Sequence, residues 1–506
     1  MFLMIELGIR GGLSYVSRRF AEANHPTLPN YQPEEPISFL CYLDANAMYA
    51  TCQTFSLPVG VFRFLTQSEI DSFEVNAVSN DSDRGYILEV DLEYPEHLHD
   101  AHSAYPLCPE HMTVEAQMIS PTLEEMYEFV GGKHVPCDKL ISNLRDKTFY
   151  VTHYRCLKFY LAHGMRLVRT HRIASFTQRS FMRPFVEYCN EQRQNAETEF
   201  ESALYKLLPN SFFGKTCENL RKRVNARLVC DPKKLVKTAG KATFKRSTII
   251  NSDLVLVEST RPRITMNRPL AVGFTILELS KLVMYGAYYD RLLPRYGDDL
   301  RLCFTDTDSF IFWVKTPDLH ADMADMRSTF LDTSNFPPGH PLYSDENKRK
   351  LGFFKSETGP YFPSQFCGLR SKMYSLWTPT SDDPAHTFTK AKGVPKHYVK
   401  KRVRHEQYLH VLRGWNTTTC TFRTFRSKNH AISTRKLSKV CLSCIDDKRY
   451  LLSDGITSLP YGTETFPCAR RARARVRALA RAPPECALGP PSRNGRTFVC
   501  CCKLYI

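Results

Sequence analysis

The segment Phe304-Thr305-Asp306-Thr307-Asp308-Ser309 carries two carboxylates two residues apart, with Leu302 and Phe304 before them and Phe310, Ile311 and Phe312 after them. On an extended turn such side chains point the same way. Paired carboxylates on rigid apolar flanks suit a divalent cation, which takes oxygen ligands from a few carboxylates and from phosphates. A lone Asp-x-Asp is more often just an acidic hairpin turn. Company comes from Tyr42-Leu43-Asp44-Ala45-Asn46-Ala47-Met48-Tyr49, where a short apolar strand from Phe39 ends at Asp44 and a turn brings Tyr49 back. Three such carboxylates suit a two-metal site, with cations about 4 Å apart, that activates a hydroxyl and stabilises a leaving pyrophosphate. The third piece is Lys206-Leu207-Leu208-Pro209-Asn210-Ser211-Phe212-Phe213-Gly214. Lys206, Asn210 and Phe213 fall at i, i+4 and i+7 and share one helix face. A cation, an amide and a ring there fit a triphosphate, a sugar or base edge, and a base-pair platform, and Gly214 admits a base pair closely.

These groups need elements to hold them. Tyr86 to Leu92 reads as a strand, and Leu302 to Val314 as two strands across the acidic turn. Arg183 to Val224 reads as helical, with Ala196, Phe200, Ala203, Leu204 and Leu207 at helical spacing. Pro209 is expected to kink or divide that helix. Ala271 to Leu293 reads as a second, amphipathic helix, Gly368 to Leu376 as one basic strand, and His397 to Arg413 as one basic helix. Tyr150 to Leu167 suits a strand and a helix equally.

Composition sets the frame. The chain has 506 residues, 42% apolar and 24% charged, which excludes a largely disordered or fibrous protein. Its net charge of +17 points to a polyanionic partner, nucleic acid first. From Thr465 onward, Arg/Ala repeats, Pro483-Pro484, Pro490-Pro491 and Cys500-Cys501-Cys502 make a low-complexity tail, expected to be disordered and outside the fold. The remaining cysteines lack framework spacing, so a reducing compartment is expected, and Cys441-x-x-Cys444 has no second pair to make a zinc site. No signal peptide and no apolar run of membrane-spanning length stands out, so no membrane partner is expected.

In the order carboxylate strand, Lys helix, double-Asp hairpin, the three pieces resemble motifs A, B and C of family B DNA polymerases. The resemblance is greatest to the protein-primed branch of phages, linear plasmids, adenovirus-like viruses and Maverick/Polinton transposons, including adintovirus-like members. Motif A of that family, Asp-x-x-Ser-Leu-Tyr-Pro, stands here as Asp44 to Ala50. Motif B, Lys-x-x-x-Asn-Ser-x-Tyr-Gly, stands as Lys206 to Gly214 with Phe213 for Tyr. Motif C, Tyr-x-Asp-Thr-Asp-Ser, stands as Phe304 to Ser309 with Phe304 for Tyr. Lys372-Met373-Tyr374 resembles the family's Lys-x-Tyr motif, and Ile9-Arg10-Gly11-Gly12 its Tyr-x-Gly-Gly motif with Ile for Tyr.

The resemblance implies an α+β right-hand polymerase with an antiparallel palm sheet, helical fingers and a small thumb. It implies catalytic Asp44, Asp306 and Asp308 holding two Mg²⁺ or Mn²⁺ ions with the Ala45 carbonyl. Tyr49 would be the steric gate against a 2′-hydroxyl. Lys206, helped by Arg193, would neutralise the triphosphate, and Asn210, Phe213 and Gly214 would bracket the nascent base pair. Gly11, Gly12, Lys372, Tyr374, Lys390 and Lys392 would contact DNA. The implied layout is palm and motif A at 1–94, a terminal-protein-contacting insertion at 95–182, fingers at 183–224 and a second insertion at 225–270. Palm with motif C follows at 271–371, then thumb at 372–463 and the tail at 464–506. The implied partners are a DNA primer–template, dNTPs and a terminal protein primer, with the chain a monomer in the nucleus or cytoplasm of a eukaryotic host. Roughly 40 residues precede Asp44, against the ~100 or more that a domain needs, so the family's proofreading exonuclease is expected to be missing. A second reading is an inactive nucleic-acid-binding relic of a mobile element. Reverse transcriptases and RNA polymerases usually carry adjacent aspartates in motif C, whereas Thr307 separates them here. A metal-dependent glycosyltransferase would leave Lys206 to Gly214 and Lys372 to Tyr374 without a role.

Overall fold

A computed structural model describes residues 1–379, 387–428 and 431–463; the tail from 464 lies outside the described residues. At its centre is a six-stranded sheet in the order Ser14–Val16, Leu300–Asp306, Ser309–Lys315, Ser38–Ala45, Phe354–Ser356, Leu331–Asp332. All its pairings are antiparallel except Leu331–Asp332 with Phe354–Ser356. The Ser38–Ala45 strand alternates sharply and is buried on both faces. Phe39, Cys41, Leu43 and Ala45 enter one core with Phe310, Phe312 and Val314, while Leu40 and Tyr42 enter another with Phe304, Ile311, Phe366 and Tyr374. A period of two residues therefore puts Asp44 on the Tyr42 face and Asp306 on the Phe304 face, which are the same face of the sheet.

Under the other face runs Leu270–Tyr285, extended by a π-helical stretch Gly286–Leu292 and Leu293–Tyr296. The expected amphipathic helix is instead buried nearly all round, because it packs on Met48–Gln53, on Glu199–Thr216 and on a second sheet. This helical run is long and apolar enough to cross a membrane by length and composition, contrary to the sequence expectation, but 83% of its most apolar eighteen-residue portion is buried inside the fold, as in a core helix. The second sheet has the order Leu57–Phe64, Arg166–Arg179, Arg84–Glu93, Lys147–His153. Tyr150 to Leu167 resolves into the end of one strand, the helix Tyr154–Ala162 and the start of another strand.

The helical region divides before Pro209, not at it. Arg183–Gln194 stops, and Thr198 starts Glu199–Thr216 with a capping box to Glu201, which anchors that N-terminus. Phe200, Leu204 and Leu207 are exposed rather than core residues. Gly368 to Leu376 is a hairpin, Gln365–Arg370 with Met373–Trp377, turning at Ser371 and Lys372. His397 to Arg413 is two helices, Lys396–Arg402 and His405–Arg413. Long antiparallel strands, Thr417–Lys428 and Ala431–Ser443, form a two-stranded sheet.

Candidate active site

The pairing of Ser309 with Asp44 brings the acidic hairpin to the end of the Ser38–Ala45 strand, and Ala45 N donates to Asp308 O at 2.7 Å. The turn is not extended. Asp308 N donates to Asp306 O at 2.7 Å across Thr307, whose φ is 67°. That is a γ-turn of the positive-φ kind, uncommon and costly for a β-branched residue. The neighbouring chain holds it in place. Thr307 N donates to Leu13 O at 2.6 Å, and a Cβ on Gly12 would lie 2.4 Å from Thr307 Cγ2. Gly12 is thus the residue that lets the 9–12 segment press on the acidic turn, while Gly11 faces open space. The segment is moored from behind. Arg10 stacks on Tyr150 with its guanidinium 3.8 Å from the ring centre and donates to Val151 O at 2.8 Å, and its carbonyl accepts from Lys281 Nζ at 3.0 Å.

The carboxylates crowd each other. Burial first, then the charges of Asp308 and Glu357, push Asp44 up to about 8. Burial and Asp306 push Asp308 up to about 6, with Lys206 and Lys372 opposing. Asp306 is paired with Lys372, Nζ to Oδ1 2.9 Å. Lys372 reaches it from a left-handed turn position, φ 59°, and its carbonyl accepts from Lys392 N at 3.1 Å. Lys390 and Lys392 are exposed beside it. Tyr374 is buried, with its hydroxyl 3.0 Å from that of Tyr42 and its ring against Phe304 at 4.6 Å. Among the described residues no three His, Cys, Asp or Glu side chains gather closely enough to hold a metal ion by themselves.

After Asp44 the chain turns through Ala47, φ 47°, into the helix Met48–Gln53. That turn sets Tyr49 against Phe213, stacked at 4.4 Å and 18°. Gln53, fully buried, donates to Pro209 O at 3.1 Å and to Tyr49 O at 3.2 Å, so the two helices share one amide. Pro209 stays inside a continuous helix. Lys206 and Asn210 are exposed and, with Arg193 and Ala47, line a recess between the two helical segments. Gly214 faces open space. Sequence reasoning missed Glu357, whose N donates to Tyr42 O at 2.9 Å, and Gln53; neither lies in a spaced pattern that marks it.

No protein-family model matches the sequence, and no curated protein matches it. Among solved structures, the chain is similar to an orthorhombic crystal form of Phi29 DNA polymerase at 13% identity and a TM-score of 0.49, covering 87% of this chain and 62% of that one. It is similar to Phi29 DNA polymerase complexed with primer-template DNA and incoming nucleotide substrates at 13% identity and a TM-score of 0.48, with the same coverage. It is also similar to Phi29 DNA polymerase complexed with single-stranded DNA at 13% identity and a TM-score of 0.47. The chain spans 62% of the length of these structures.

Proposed function

We propose that this chain is the polymerase region of a template-directed DNA polymerase of family B, from the protein-primed branch, that adds dNTPs to a 3′-hydroxyl. The observation that carries the reading is one juxtaposition. The Asp44 and Asp308 carboxylates lie at adjoining strand ends within the field of Lys206, and the Tyr49–Phe213 stack stands beside them. Acids for cations, a lysine for a triphosphate and rings for a base pair are the parts of nucleotidyl transfer.

The donor set fits a divalent cation of the Mg²⁺ type, which is commonly held by one or two carboxylates together with substrate phosphates. Asp44 and Asp308 would be its ligands, with the Ala45 carbonyl and Asp306 beside them. When bound, such cations lower the barrier to attack by the hydroxyl and to departure of pyrophosphate. The residues of this chain do the rest. Lys206 and Arg193 would bind the triphosphate, Asn210 and Phe213 would orient the base, and Tyr49 would close the space beneath the sugar. Lys372, Lys390 and Lys392 would hold backbone phosphates of the primer–template, which adds affinity and salt dependence without sequence readout.

The test is primer extension by the full chain with Mg²⁺ or Mn²⁺, dNTPs and a DNA primer–template, beside Asp308→Asn. Extension that falls at least about 1,000-fold in the variant supports the reading, since each 1.36 kcal/mol of lost transition-state stabilisation is tenfold. A folded protein that binds DNA and extends nothing would be a nucleic-acid-binding relic instead.

A further inference from the structure

Residues 345–351 form a loop tied to two parts of the site at once. Arg349 stands at φ 54°, a backbone state that costs a non-glycine residue energy. Its N donates to Asp332 Oδ2 at 2.8 Å, and Asn46 Nδ2 donates to the same oxygen at 2.7 Å. The loop is thereby fixed beside the strand end that carries Asp44. On its other side the Arg349 guanidinium donates through Nη1 to the carbonyl of Arg193, and Gln194 Nε2 donates to Lys348 O at 2.8 Å. Two guanidinium-bearing residues, Arg193 and Arg349, are therefore neighbours at the end of the Arg183–Gln194 helix. Arg193 Nε is buried without a hydrogen-bond partner, and among the described residues no carboxylate pairs with either guanidinium. Arg193 lines the same recess as Lys206 and Asn210, and Leu351 of the loop completes its wall.

Like charges packed together destabilise a fold unless a polyanion neutralises them. Guanidinium forks match phosphate oxygens two at a time. We propose that Arg349 is a second guanidinium of the triphosphate recess, binding the phosphates of the incoming nucleotide together with Arg193 and Lys206. The assignment rests on the polymerase reading above and adds to it a phosphate-binding residue from a loop outside the three motifs. A purely mechanical role, latching the helix through the Arg193 carbonyl, makes the opposite prediction.

The experiment measures KM for a dNTP and kcat in primer extension by the full chain and by Arg349→Ala, Arg349→Gln and Gln194→Ala. Inorganic tripolyphosphate binding is measured by calorimetry on the same proteins. Arg349→Gln removes the charge and leaves a shorter polar side chain; Gln194→Ala removes the other loop-to-helix bond, Gln194 Nε2 to the Lys348 carbonyl, and keeps the charge. Both Arg349 variants are expected to raise KM about tenfold, the loss of one charge-assisted contact. Gln194→Ala is expected to leave KM unchanged, and primer–template affinity is expected to be equal throughout. An unchanged KM in Arg349→Gln, or a KM in Gln194→Ala that rises with it, overturns the proposal. If the unmodified chain extends nothing, the polymerase reading fails and tripolyphosphate decides Arg349 alone. Binding weakened about tenfold by Arg349→Gln but not by Gln194→Ala sustains it, and absent or unaltered binding overturns it.

Discussion

Gly12→Ala tests whether the acidic turn is held by the chain in front of it. A Cβ at position 12 would stand 2.4 Å from Thr307 Cγ2, 2.6 Å from Oγ1 and 2.8 Å from Cβ. Carbon atoms are comfortable at about 3.5–4.0 Å, so one side must retreat by roughly 1 Å. Thr307 has little room to do so, because its side chain is β-branched, its φ is already 67° and its N is bonded to Leu13 O at 2.6 Å. Overpacking of this kind costs about 1–3 kcal/mol. The kinetic effect is larger, since a displacement of about 1 Å in a reacting group costs on the order of 100-fold in rate. The expected result is a lowered melting temperature, DNA binding retained, and extension slowed about 100-fold. Gly11→Ala is the control: nothing lies within 4 Å of its Cβ, so its stability should change by less than about 0.5 kcal/mol. The double variant Gly12→Ala/Thr307→Gly removes the clashing atoms and relaxes the positive φ, and it should recover most of the lost rate. Full activity in Gly12→Ala, or no recovery in the double variant, would show that position 12 does not hold the acidic turn.

Three further outcomes follow from contacts elsewhere. Gln53→Ala leaves the Pro209 carbonyl without its side-chain donor and opens a buried space, so a loss of about 1–3 kcal/mol is expected in urea unfolding. Phe213→Ala breaks the 4.4 Å stack on Tyr49, worth about 0.5–1.5 kcal/mol beyond its area, and should raise KM for dNTPs, while Phe213→Tyr keeps the ring and should leave KM within about twofold. Burial holds His25, His102 and His405 down at about 4 and His153 at about 3. Below about pH 6.5 the unfolded chain takes up protons that the folded chain refuses, so the contribution of these four histidines is complete above that pH and is lost as pH drops toward 4. It is opposed by the two raised carboxyls Asp44 and Asp308, which add stability as they take up protons. Each histidine adds a slope of about 1.4 kcal/mol per pH unit, and equal urea midpoints at pH 7.5 and 5 would dismiss this account.

What the sequence made legible was what chemistry imposes locally. Asp44, Asp306 and Asp308 were readable because carboxylates at strand ends are conspicuous, and Lys206, Asn210 and Phe213 because one helix face repeats at fixed intervals. The structure sets Asp44 and Asp308 within the field of Lys206, stacks Phe213 on Tyr49, and places Lys206, Asn210 and Arg193 along one recess. The conformation of the acidic turn was not readable, because Thr307 accepts φ 67° only under restraint from Leu13 and Gly12, almost 300 positions earlier. Gln53, Glu357 and Arg349 escaped for the same reason: each acts through a long-range bond, and nothing in its neighbours announces it. The break at 195–198 was hidden by apolar residues at helical spacing that turned out to be exposed, and the Thr198-x-x-Glu201 capping box was the overlooked signal.

The two halves of the site are built differently, and that difference has a mechanical consequence. Asp44, Asp306 and Asp308 sit on a sheet packed on both faces, with Gly12, Leu13 and Ala45 fixing the turn from outside. Lys206 and Asn210 stand on a helix of eighteen residues of which only Pro209 and Thr216 are buried. That helix is joined to the acidic side by the Gln53 amide and the Tyr49–Phe213 stack. Local stability follows buried contact, so the basic half should open at lower free energy than the acidic half. A triphosphate spanning both would then stabilise the arrangement in which they face each other, by as much as it prefers that arrangement over the open one. The loop carrying Arg349 is hydrogen-bonded to both halves, through Asp332 on one side and the Arg193 carbonyl on the other. Hydrogen exchange should therefore show residues 199–216 slowing when a nucleotide is added, while residues 300–315 stay as protected as before.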